Sequence, residues 1–261
     1  MTAALNAHQA KAQPELVALF VSDTHLNPSL PKTTTAFLRF LELHASHAPA
    51  LYLLGDLFEY WVGDDNISDA YNQIIVTALR TIHDGGVELY WIGGNRDFLI
   101  GEGFAKATGA ALLPDPFVIQ LKTKNIVITH GDAQCTDDRA YMEFRQKVRQ
   151  VEWQKAFLAM PLLQRKNIIE GLRTESKSEQ KQKTAEIMDV NSAAIEQLFL
   201  ATDSSVLIHG HTHRPATHIV NDRIRHVLPD WDCDTNPERG GWSALYSDST
   251  IRSYNWNGDE L

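Results

Sequence analysis

The sequence predicts an α/β fold interrupted by a long helical insertion. From Leu16 onward, short apolar runs alternate with helix-like stretches, as they do in α/β proteins. This rhythm stops between His130 and Ser205, where only helical patterns occur. A chain of 261 residues is long enough for one large domain with such an insertion. We therefore expect a core over residues 16–138 and 201–261, a helical insertion over 139–200, and a disordered tail over 1–15.

The elements of the core can be assigned in order. LVALFVSD is a β-rich run, and TTTAFLRFLELHASH is an amphipathic helix with a threonine cluster as its expected cap. ALYLLGD predicts the next strand, and SDAYNQIIVTALRTIHDGG predicts a helix closed by glycines. VELYWIGGN, NIVITHGD and SVLIHGH predict three further strands. The turn-rich and aromatic segment from Arg223 to Trp256 predicts antiparallel β-structure.

The insertion is basic and strongly apolar within an acidic protein. Between Arg139 and Arg173 there are eight Lys or Arg and three Glu, a local net charge of +5. The apolar side chains between them are those of Trp153, Phe157, Leu158, Met160, Leu162, Leu163, Ile168 and Ile169. Such a segment can be a helical hairpin that packs on the core, or a surface for an anionic membrane or amphiphile. The sequence leaves both interpretations open.

Composition excludes several functional classes. A net charge of −9 argues against nucleic-acid binding, because phosphate backbones require a basic face. Cys135 and Cys233 are far apart and lack CxxC spacing, which argues against a disulfide framework or zinc ribbon and suits a reducing compartment. The start of the chain has no apolar signal segment, and no stretch approaches the length of a membrane span. We expect a cytoplasmic monomer whose membrane contact, if any, is peripheral.

Side chains suited to metal binding follow five of the predicted strands. In order, the strands lead to Asp23 with His25, to Asp56, to Asn95, to His130, and to His211 with His213. Each motif alone is weak, since a single histidine is more often an ordinary buried or surface residue. Together, at the carboxyl ends of strands, they predict one site, because binding sites of open α/β sheets form at that edge.

The chemistry of these residues points to two metal ions. Seven ligands are too many for one tetrahedral ion, but they suffice for two five- or six-coordinate ions that share a carboxylate. Nitrogen and oxygen ligands without thiolate favour Mn²⁺, Fe²⁺ or Zn²⁺. Two such ions about 3.5–4 Å apart can clamp both oxygens of an in-line displacement at phosphorus.

The motifs D-x-H, GD, GN, HGD and GHTH resemble, in this order, those of the calcineurin-like metallophosphoesterase superfamily. The resemblance runs from about Leu16 to Trp242 and implies a four-layer α/β/β/α sandwich, with the insertion as a lid. It implies that one ion is held by Asp23, His25, Asp56 and His213. It implies that the other ion is held by Asp56, Asn95, His130 and His211, with Asp56 as the bridge.

The resemblance is closer at GDLFEYWVGDD, GGNRDFLIG, HGDAQCTDDRAY and IHGHTHRPATH. These segments resemble the branch of the superfamily that cleaves the pyrophosphate of UDP-2,3-diacylglucosamine in lipid A biosynthesis, giving lipid X and UMP. The branch implies two Mn²⁺ ions, water attack at the α-phosphorus, acyl chains held by the lid, and a peripheral position on the cytoplasmic face of the bacterial inner membrane. Implied catalytic residues are Asp56, Arg96 and His211. Implied substrate contacts are Asn95, Arg96, Asp138, Ser176, Gln180, Lys183 and His211, with Gln180 where the branch often has asparagine.

Arg96 fits a pyrophosphate substrate. Many members of the superfamily have a histidine at this position, which can protonate an alkoxide leaving group. An arginine does not give up its proton near neutrality, but its fork binds phosphate oxygens. A phosphate monoester has a last pKa of about 6 and leaves as an anion, so it needs no acid.

Other interpretations stay open at this point. Asp138 can instead be a helix cap, and Lys183 can be a solvated surface residue. The enzyme can act on another diester or pyrophosphate, such as a free UDP-sugar. A non-catalytic scaffold is a further alternative, although such a chain is expected to have lost ligands and this one retains all seven.

Overall fold

A computed structural model describes residues 13–122, 124–180 and 189–261, with the side chains of 174–180 left out. In chain order the elements are β1 (Leu16–Val21), α1 (Pro31–Leu43), β2 (Ala50–Leu53), α2 (Ala70–Asp84), β3 (Glu88–Trp91), α3 (Glu102–Thr108), β4 (Ala111–Leu112), β5 (Phe117–Leu121), β6 (Lys124–Thr129), α4 (Arg139–Val148), α5 (Val151–Leu158), α6 (Leu162–Gln180), α7 (Ser192–Thr202), β7 (Val206–His209), β8 (Ala216–Val220), β9 (Arg223–Val227), β10 (Gly241–Tyr246) and β11 (Ile251–Asn255).

The strands form two sheets. The first has the order β11-β10-β1-β2-β3-β4, and the second has the order β5-β6-β7-β9-β8. Strands β1, β2 and β3 are parallel in the first sheet, and β6, β7 and β9 are parallel in the second. Parallel neighbours end at the same edge, so each sheet gathers the loops after its strands on one side.

Side-chain alternation along the strands builds the layers. In β1, Leu19 and Val21 face a core shared with α1 and α2, while Phe20 faces the second sheet. In β6, Ile126 faces the first sheet, whereas its neighbour Val127 packs with residues of α7. Because successive side chains of a strand point to opposite faces, each sheet is covered on both sides. The predicted sandwich of two sheets between helices is confirmed.

The described part of the predicted insertion is helical and packs closely on the core. Phe157 of α5 is 2% exposed and belongs to the large core cluster. Arg165 of α6 is also 2% exposed; it pairs with Asp65 and donates to the Val62 carbonyl. The last helix of the predicted segment, α7, packs on the second sheet. The predicted domain boundaries stay a prediction.

Two details of the predicted elements are wrong. Helix α1 begins at Pro31, and its threonines lie inside it instead of capping it. The cap comes from 200 residues away, since the Asp234 carboxylate accepts from the amides of Lys32 and Thr33 at 3.1 and 2.9 Å. Antiparallel pairing near the carboxyl end holds for β10 with β11 and for β9 with β8, and the departure from the prediction is that β9 also pairs in parallel with β7. Helix α3 and strands β4, β5 and β8 had no predicted counterpart.

Candidate active site

All seven predicted ligands lie together where the parallel strands of both sheets end. The first sheet contributes the loops after β1, β2 and β3, and the second contributes those after β6 and β7. The site therefore lies across the two sheets, and their packing sets its dimensions. For description we divide it into an outer group (Asp23, His25, His213), an inner group (Asn95, His130, His211), and Asp56 between them.

The outer group is compact. The Nε2 atoms of His25 and His213 are 3.1 Å apart. Asp23 Oδ1 lies 3.4 Å from His213 Nε2 and 4.0 Å from His25 Nε2. His213 is the most exposed of the three, with 38% of its side chain accessible, against 10% for His25.

The inner group meets at the Asn95 carboxamide. Asn95 Oδ1 lies 3.0 Å from His130 Nε2 and 2.9 Å from His211 Nδ1. His130 is fully buried, and its Nδ1 lies 2.8 Å from the Leu54 carbonyl. A ring nitrogen that donates to a carbonyl leaves the other nitrogen free as an electron-pair donor, so His130 Nε2 is directed to the site.

Asp56 lies between the two groups, as expected of a bridging carboxylate. Its Oδ2 is 3.9 Å from His25 Nδ1, and its Oδ1 is 3.7 Å from His130 Nε2. The Arg96 amide donates to Oδ1 at 2.9 Å. Asp56 is 2% exposed, so these neighbours are its main electrostatic environment.

The backbone at the site is unusual. Five of the seven residues have positive φ: Asp23 (54°), His25 (46°), Asp56 (52°), His211 (68°) and His213 (54°). Side chains other than glycine rarely take this conformation, and it concentrates at functional sites. The loops thus hold these side chains in directions that an ordinary strand end does not give.

Two glycines allow the loops to approach each other. A Cβ atom at Gly94 would overlap Asp56, and one at Gly210 would overlap Ser22 and Asp23. The GGN and HGH motifs therefore need glycine so that loops from different strands can pack against the ligand carboxylates.

The four histidines of the site form two pairs, one with lowered pKa values and one with raised pKa values. Burial, with the charges of His130 and Arg96 respectively, lowers the pKa of His211 to about 4 and that of His25 well below 6.5. Burial alone would lower the pKa of His130, but the carboxylates of Asp56 and Asp23 raise it to about 9. Burial is likewise outweighed at His213, whose pKa is raised by Asp23. The carboxylates therefore draw positive charge into the site, as a proton or as a metal cation.

The residues present fit divalent cations. Asp23 Oδ1 and His25 Nδ1 are buried without a hydrogen-bond partner, although buried polar atoms are normally paired. The sets Asp23–His25–His213 and Asp23–Asp56–His130 each bring one possible ligand atom per residue within 4.8 Å of the others. Carboxylate, imidazole and amide donors suit a divalent ion such as Mn²⁺, Fe²⁺ or Zn²⁺. A cation would satisfy these orphaned atoms.

The structure shows the surroundings of only some of the predicted substrate-contact residues. Arg96 lies at the site, with Nη1 at 2.9 Å from Glu59 Oε2 and Nε at 3.4 Å from Asp56 Oδ2. Asp138 caps α4 by accepting from the Tyr141 amide at 3.1 Å. Ser176 and Gln180 lie on α6, where side chains are not described, and Lys183 lies outside the described residues. Their contacts with substrate stay predictions.

Sequence reasoning missed an ion-pair cluster centred on Glu59. Its carboxylate contacts His25 Nδ1 at 3.6 Å and Arg96 at 2.9 Å, and it pairs with Arg173 of α6. Arg173 also donates to the Glu59 carbonyl at 2.9 Å. The cluster brings a second arginine, from the insertion, to the edge of the site. Its only signal in the sequence was the basic character of the insertion.

Two further acidic residues hold the ligand loops. Asp97 is fully buried and accepts from the amides of Asp56, Leu57 and Gly94 at 3.2, 2.8 and 3.0 Å. Burial, with the charge of Asp56, raises the pKa of Asp97 to about 7. Asp230 lies 3.6 Å from His213 Nδ1 and is paired with Arg239 at 3.2 Å. Both residues lie outside the predicted ligand motifs.

Comparison with known proteins gives consistent results. A protein of Aromatoleum aromaticum is 47% identical over 221 residues, 83% of this chain and 90% of that protein. A protein of Bordetella parapertussis is 46% identical over 234 residues, 87% and 90% of the two chains. A protein of Serratia proteamaculans is 48% identical over 200 residues, 77% and 83% of the two. All three are named UDP-2,3-diacylglucosamine hydrolase.

The family comparison agrees with the geometry. The sequence model named calcineurin-like phosphoesterase matches residues 16–215. That range includes every strand end that supplies a predicted ligand. The chain therefore belongs to the calcineurin-like phosphoesterase family.

Proposed function

We propose that this protein hydrolyses the pyrophosphate bond of UDP-2,3-diacylglucosamine, giving 2,3-diacylglucosamine 1-phosphate and UMP, with two divalent ions, which we propose to be Mn²⁺. The observation that carries the proposal is the meeting of seven oxygen and imidazole ligands at one edge of two sheets. The substrate is taken from relatives that are 46–48% identical over most of the chain and carry that name.

The outer and inner groups, with Asp56 between them, are the residues that would hold the ions. Ions bound there would supply a nucleophile at neutral pH and Lewis-acid stabilisation of charge on the phosphoryl oxygens. The protein's own contribution is orientation. Asp97 fixes the loops of Asp56 and Asn95, and the Leu54 carbonyl fixes the ring of His130.

Arg96 and Arg173 provide the positive charge for an anionic substrate. Both guanidinium groups contact the Glu59 carboxylate at the edge of the site, and a phosphate group can compete for the same donors. Arg96 is one-quarter exposed, so its fork is accessible to a ligand. Attack of water on the α-phosphorus would expel a sugar phosphate, whose departure needs charge stabilisation and no proton donor.

A labelled-water assay tests the proposal. Purified protein depleted of metal and then supplied with Mn²⁺ would be incubated with UDP-2,3-diacylglucosamine in detergent and H₂¹⁸O. We expect one ¹⁸O atom in UMP, because the oxygen that enters at the α-phosphorus stays with the nucleoside. Label in the sugar phosphate would retain a pyrophosphatase but reverse the attacked phosphorus. Hydrolysis of a free UDP-sugar or a simple phosphodiester without turnover of the acylated substrate would contradict the proposed substrate.

The identity of the ion needs a separate comparison. Metal-depleted protein supplied with Mn²⁺, Mg²⁺, Co²⁺ or Zn²⁺ at equal free concentration is expected to be most active with Mn²⁺. The donor set without thiolate suits Mn²⁺, Fe²⁺ and Zn²⁺, and the choice of Mn²⁺ among them rests on the family resemblance. Greater activity with Zn²⁺ would overturn the choice of ion without affecting the proposed reaction.

We also propose that the protein works as a monomer on the cytoplasmic face of the inner membrane. Among the described residues, no helix could cross a bilayer, so the contact would be peripheral. Apolar side chains on the insertion face solvent: Val151 is 57%, Leu158 40% and Leu163 71% exposed. Beside them lie basic residues such as Lys155 and Lys166, which favour anionic lipid headgroups.

Vesicle binding tests this location. Wild-type protein is expected to co-sediment with vesicles that contain phosphatidylglycerol, and Leu163→Glu is expected to weaken binding several-fold. Ile219→Glu is the matched control, because Ile219 on β8 is also 71% exposed but lies outside the insertion. Equal loss in both variants, or no binding by the wild type, would contradict the proposed surface. A sedimentation mass near 29.3 kDa is the expected result for a monomer.

A further inference from the structure

One face of α4, together with the residue that directly follows the helix, carries three side chains that all reach toward the inner group. Tyr141, Arg145 and Arg149 are spaced four residues apart, so they share a face of the helix. In the sequence, this helix lies inside the predicted insertion and is not part of the loops that carry the candidate ligands. The three side chains contact three different ligand loops.

The first contact is with the loop after β6. Asp132, two residues after His130, is fully buried. Its Oδ2 accepts from Tyr141 Oη at 2.5 Å and from Arg145 Nε at 2.8 Å, and Arg149 Nη2 lies 3.7 Å away. A buried carboxylate with these partners is a fixed anchor for the loop.

The second contact is with the loop after β3. Arg149 Nη2 donates to the carbonyls of Gly93 and Gly94 at 3.3 and 2.9 Å. These residues directly precede Asn95. The Arg149 guanidinium also lies 4.9 Å from the centre of the Phe98 ring, three residues beyond Asn95. The arginine therefore holds the Asn95 loop from both sides.

The third contact is with the loop after β7. The ring of Tyr141 lies 6.1 Å from that of His211, at an angle of 30°. Within the described residues, α4 thus contacts the loop of every inner-group member. The outer group instead has Asp230 and Arg239, from the loop after β9, as its support.

We infer that Arg145 and Arg149 are positioning residues for the ion of the inner group, and that the insertion sets the affinity of that ion. This inference rests on the proposed dimetal function. Neither arginine is directed at substrate by the contacts above; each acts through Asp132 or through the Asn95 loop. Because bonds from outside the ligands fix the ligand directions, their loss commonly weakens metal binding about 10- to 100-fold.

Calorimetric titration of metal-depleted, full-length protein with Mn²⁺, followed by electron paramagnetic resonance, tests the inference. Wild-type protein is expected to bind two ions. Arg149→Met and Arg145→Met are each expected to weaken one of the two binding constants about 10- to 100-fold and to leave the other within about twofold. Arg149→Lys is expected to recover only part of the loss, since an ammonium can donate to the carbonyls but lacks the planar guanidinium that also lies over the Phe98 ring.

Two controls assign the effect. Lys147→Met removes a positive charge from the same helix at an exposed position and is expected to leave both constants unchanged. In an Asn95→Ala background, binding of the inner ion is already weakened. Adding Arg149→Met should therefore cause little further loss in the binding constant of that ion. Circular dichroism and a thermal melt would show that each variant is folded. If Arg149→Met does not fold, Arg149→Lys and Arg145→Met give the same comparison.

The outcomes separate this inference from the proposed function. A folded Arg149→Met protein that binds both Mn²⁺ ions like the wild type would overturn the inference, as would equal weakening of both ions. Wild-type protein that binds two ions but does not cleave the acylated nucleotide would overturn the proposed function and leave the inference standing. Wild-type protein that binds neither Mn²⁺ nor Zn²⁺ would overturn both.

Discussion

The two ligand groups are held by different parts of the chain. The outer group is supported by Asp230 and Arg239, which follow a strand of the second sheet. The inner group is supported by α4, which belongs to the long helical segment between β6 and β7. The difference teaches that the insertion holds the inner half of the site through bonds to its ligand loops, whereas it reaches the outer half through Arg173, which pairs with Glu59 beside His25.

The largest effect is expected where the two groups meet. Asp56→Ala removes the carboxylate that lies between His25 and His130, so we expect both ions to be weakened and turnover to fall about 1000-fold or more. Turnover with saturating Mn²⁺, together with metal content after desalting, measures this. Substantial metal-dependent activity in a folded Asp56→Ala protein would contradict the bridging role.

The next largest effect concerns the support shared by both groups. Asp97→Ala leaves the buried amides of Asp56, Leu57 and Gly94 without their acceptor, which should lower the free energy of unfolding by about 3–5 kcal/mol. Urea unfolding in the presence of a chelator measures this without a contribution from bound metal. Asp97→Asn retains one carbonyl acceptor and should lose less. Equal losses in the two variants would show that the acceptor oxygen retained in Asp97→Asn contributes nothing to stability, and would contradict the hydrogen-bonding account.

A selective effect is expected from the outer support. Asp230→Asn weakens the contact that orients His213, and we expect one Mn²⁺ binding constant to fall about 10- to 100-fold. The ion affected should differ from the one affected by Arg149→Met. Asp232→Asn is the control, because Asp232 also pairs with Arg239, at 3.6 Å. If Asp230→Asn and Arg149→Met act on the same ion, the division into two groups is wrong.

The smallest effect tests the junction of the sheets. His226 of β9 contacts Ser243 of β10 and Ser253 of β11 at 2.8 and 3.1 Å, and burial lowers its pKa to about 4. An unfolded histidine titrates near 6.5, so between pH 6.5 and 4 the unfolded state binds more protons and stability falls as the pH falls. From pH 7.5 to 5.5 this contribution is about 1 kcal/mol.

Urea unfolding at the two pH values measures the effect. His226→Gln should lose less stability over this range than the wild type does. His47→Gln, at an exposed position, should behave like the wild type. An unchanged pH slope in His226→Gln would mean that this histidine is charged in the folded protein or that another group dominates.

The grouping of the candidate ligands could be predicted from the sequence because each one lies within a few residues of a strand end. Asn95 and His130 lie at the ends of apolar runs. Parallel strands bring such ends to the same edge of a sheet, independently of the loop conformations. The supports could not be predicted in this way. Asp230 reaches a histidine 17 positions earlier, and Asp234 caps a helix about 200 residues away. Such contacts depend on how distant loops pack, and neither periodicity nor spacing records that.

The insertion shows the same limit. Its helical nature and basic charge follow from its composition, but the sequence did not indicate that Arg149 would reach the carbonyl groups before Asn95. The four-residue spacing of Tyr141, Arg145 and Arg149 was visible. Spacing of this kind predicts a shared helix face, and only the packed structure shows that the face meets a buried aspartate.

Five residues of the site have a left-handed backbone conformation, and this restricts which substitutions the protein can accept during evolution. Aspartate, asparagine and histidine are ligand types and are also, after glycine, the residues that enter this conformation most readily. Donor chemistry and backbone geometry therefore select the same few residues at Asp23, His25, Asp56, His211 and His213. A related protein that lost its catalytic activity would no longer need metal-binding side chains, but it would still need residues that adopt the left-handed conformation. At these positions asparagine and glycine are expected to replace the ligands, so that the loop conformation persists after metal binding is lost.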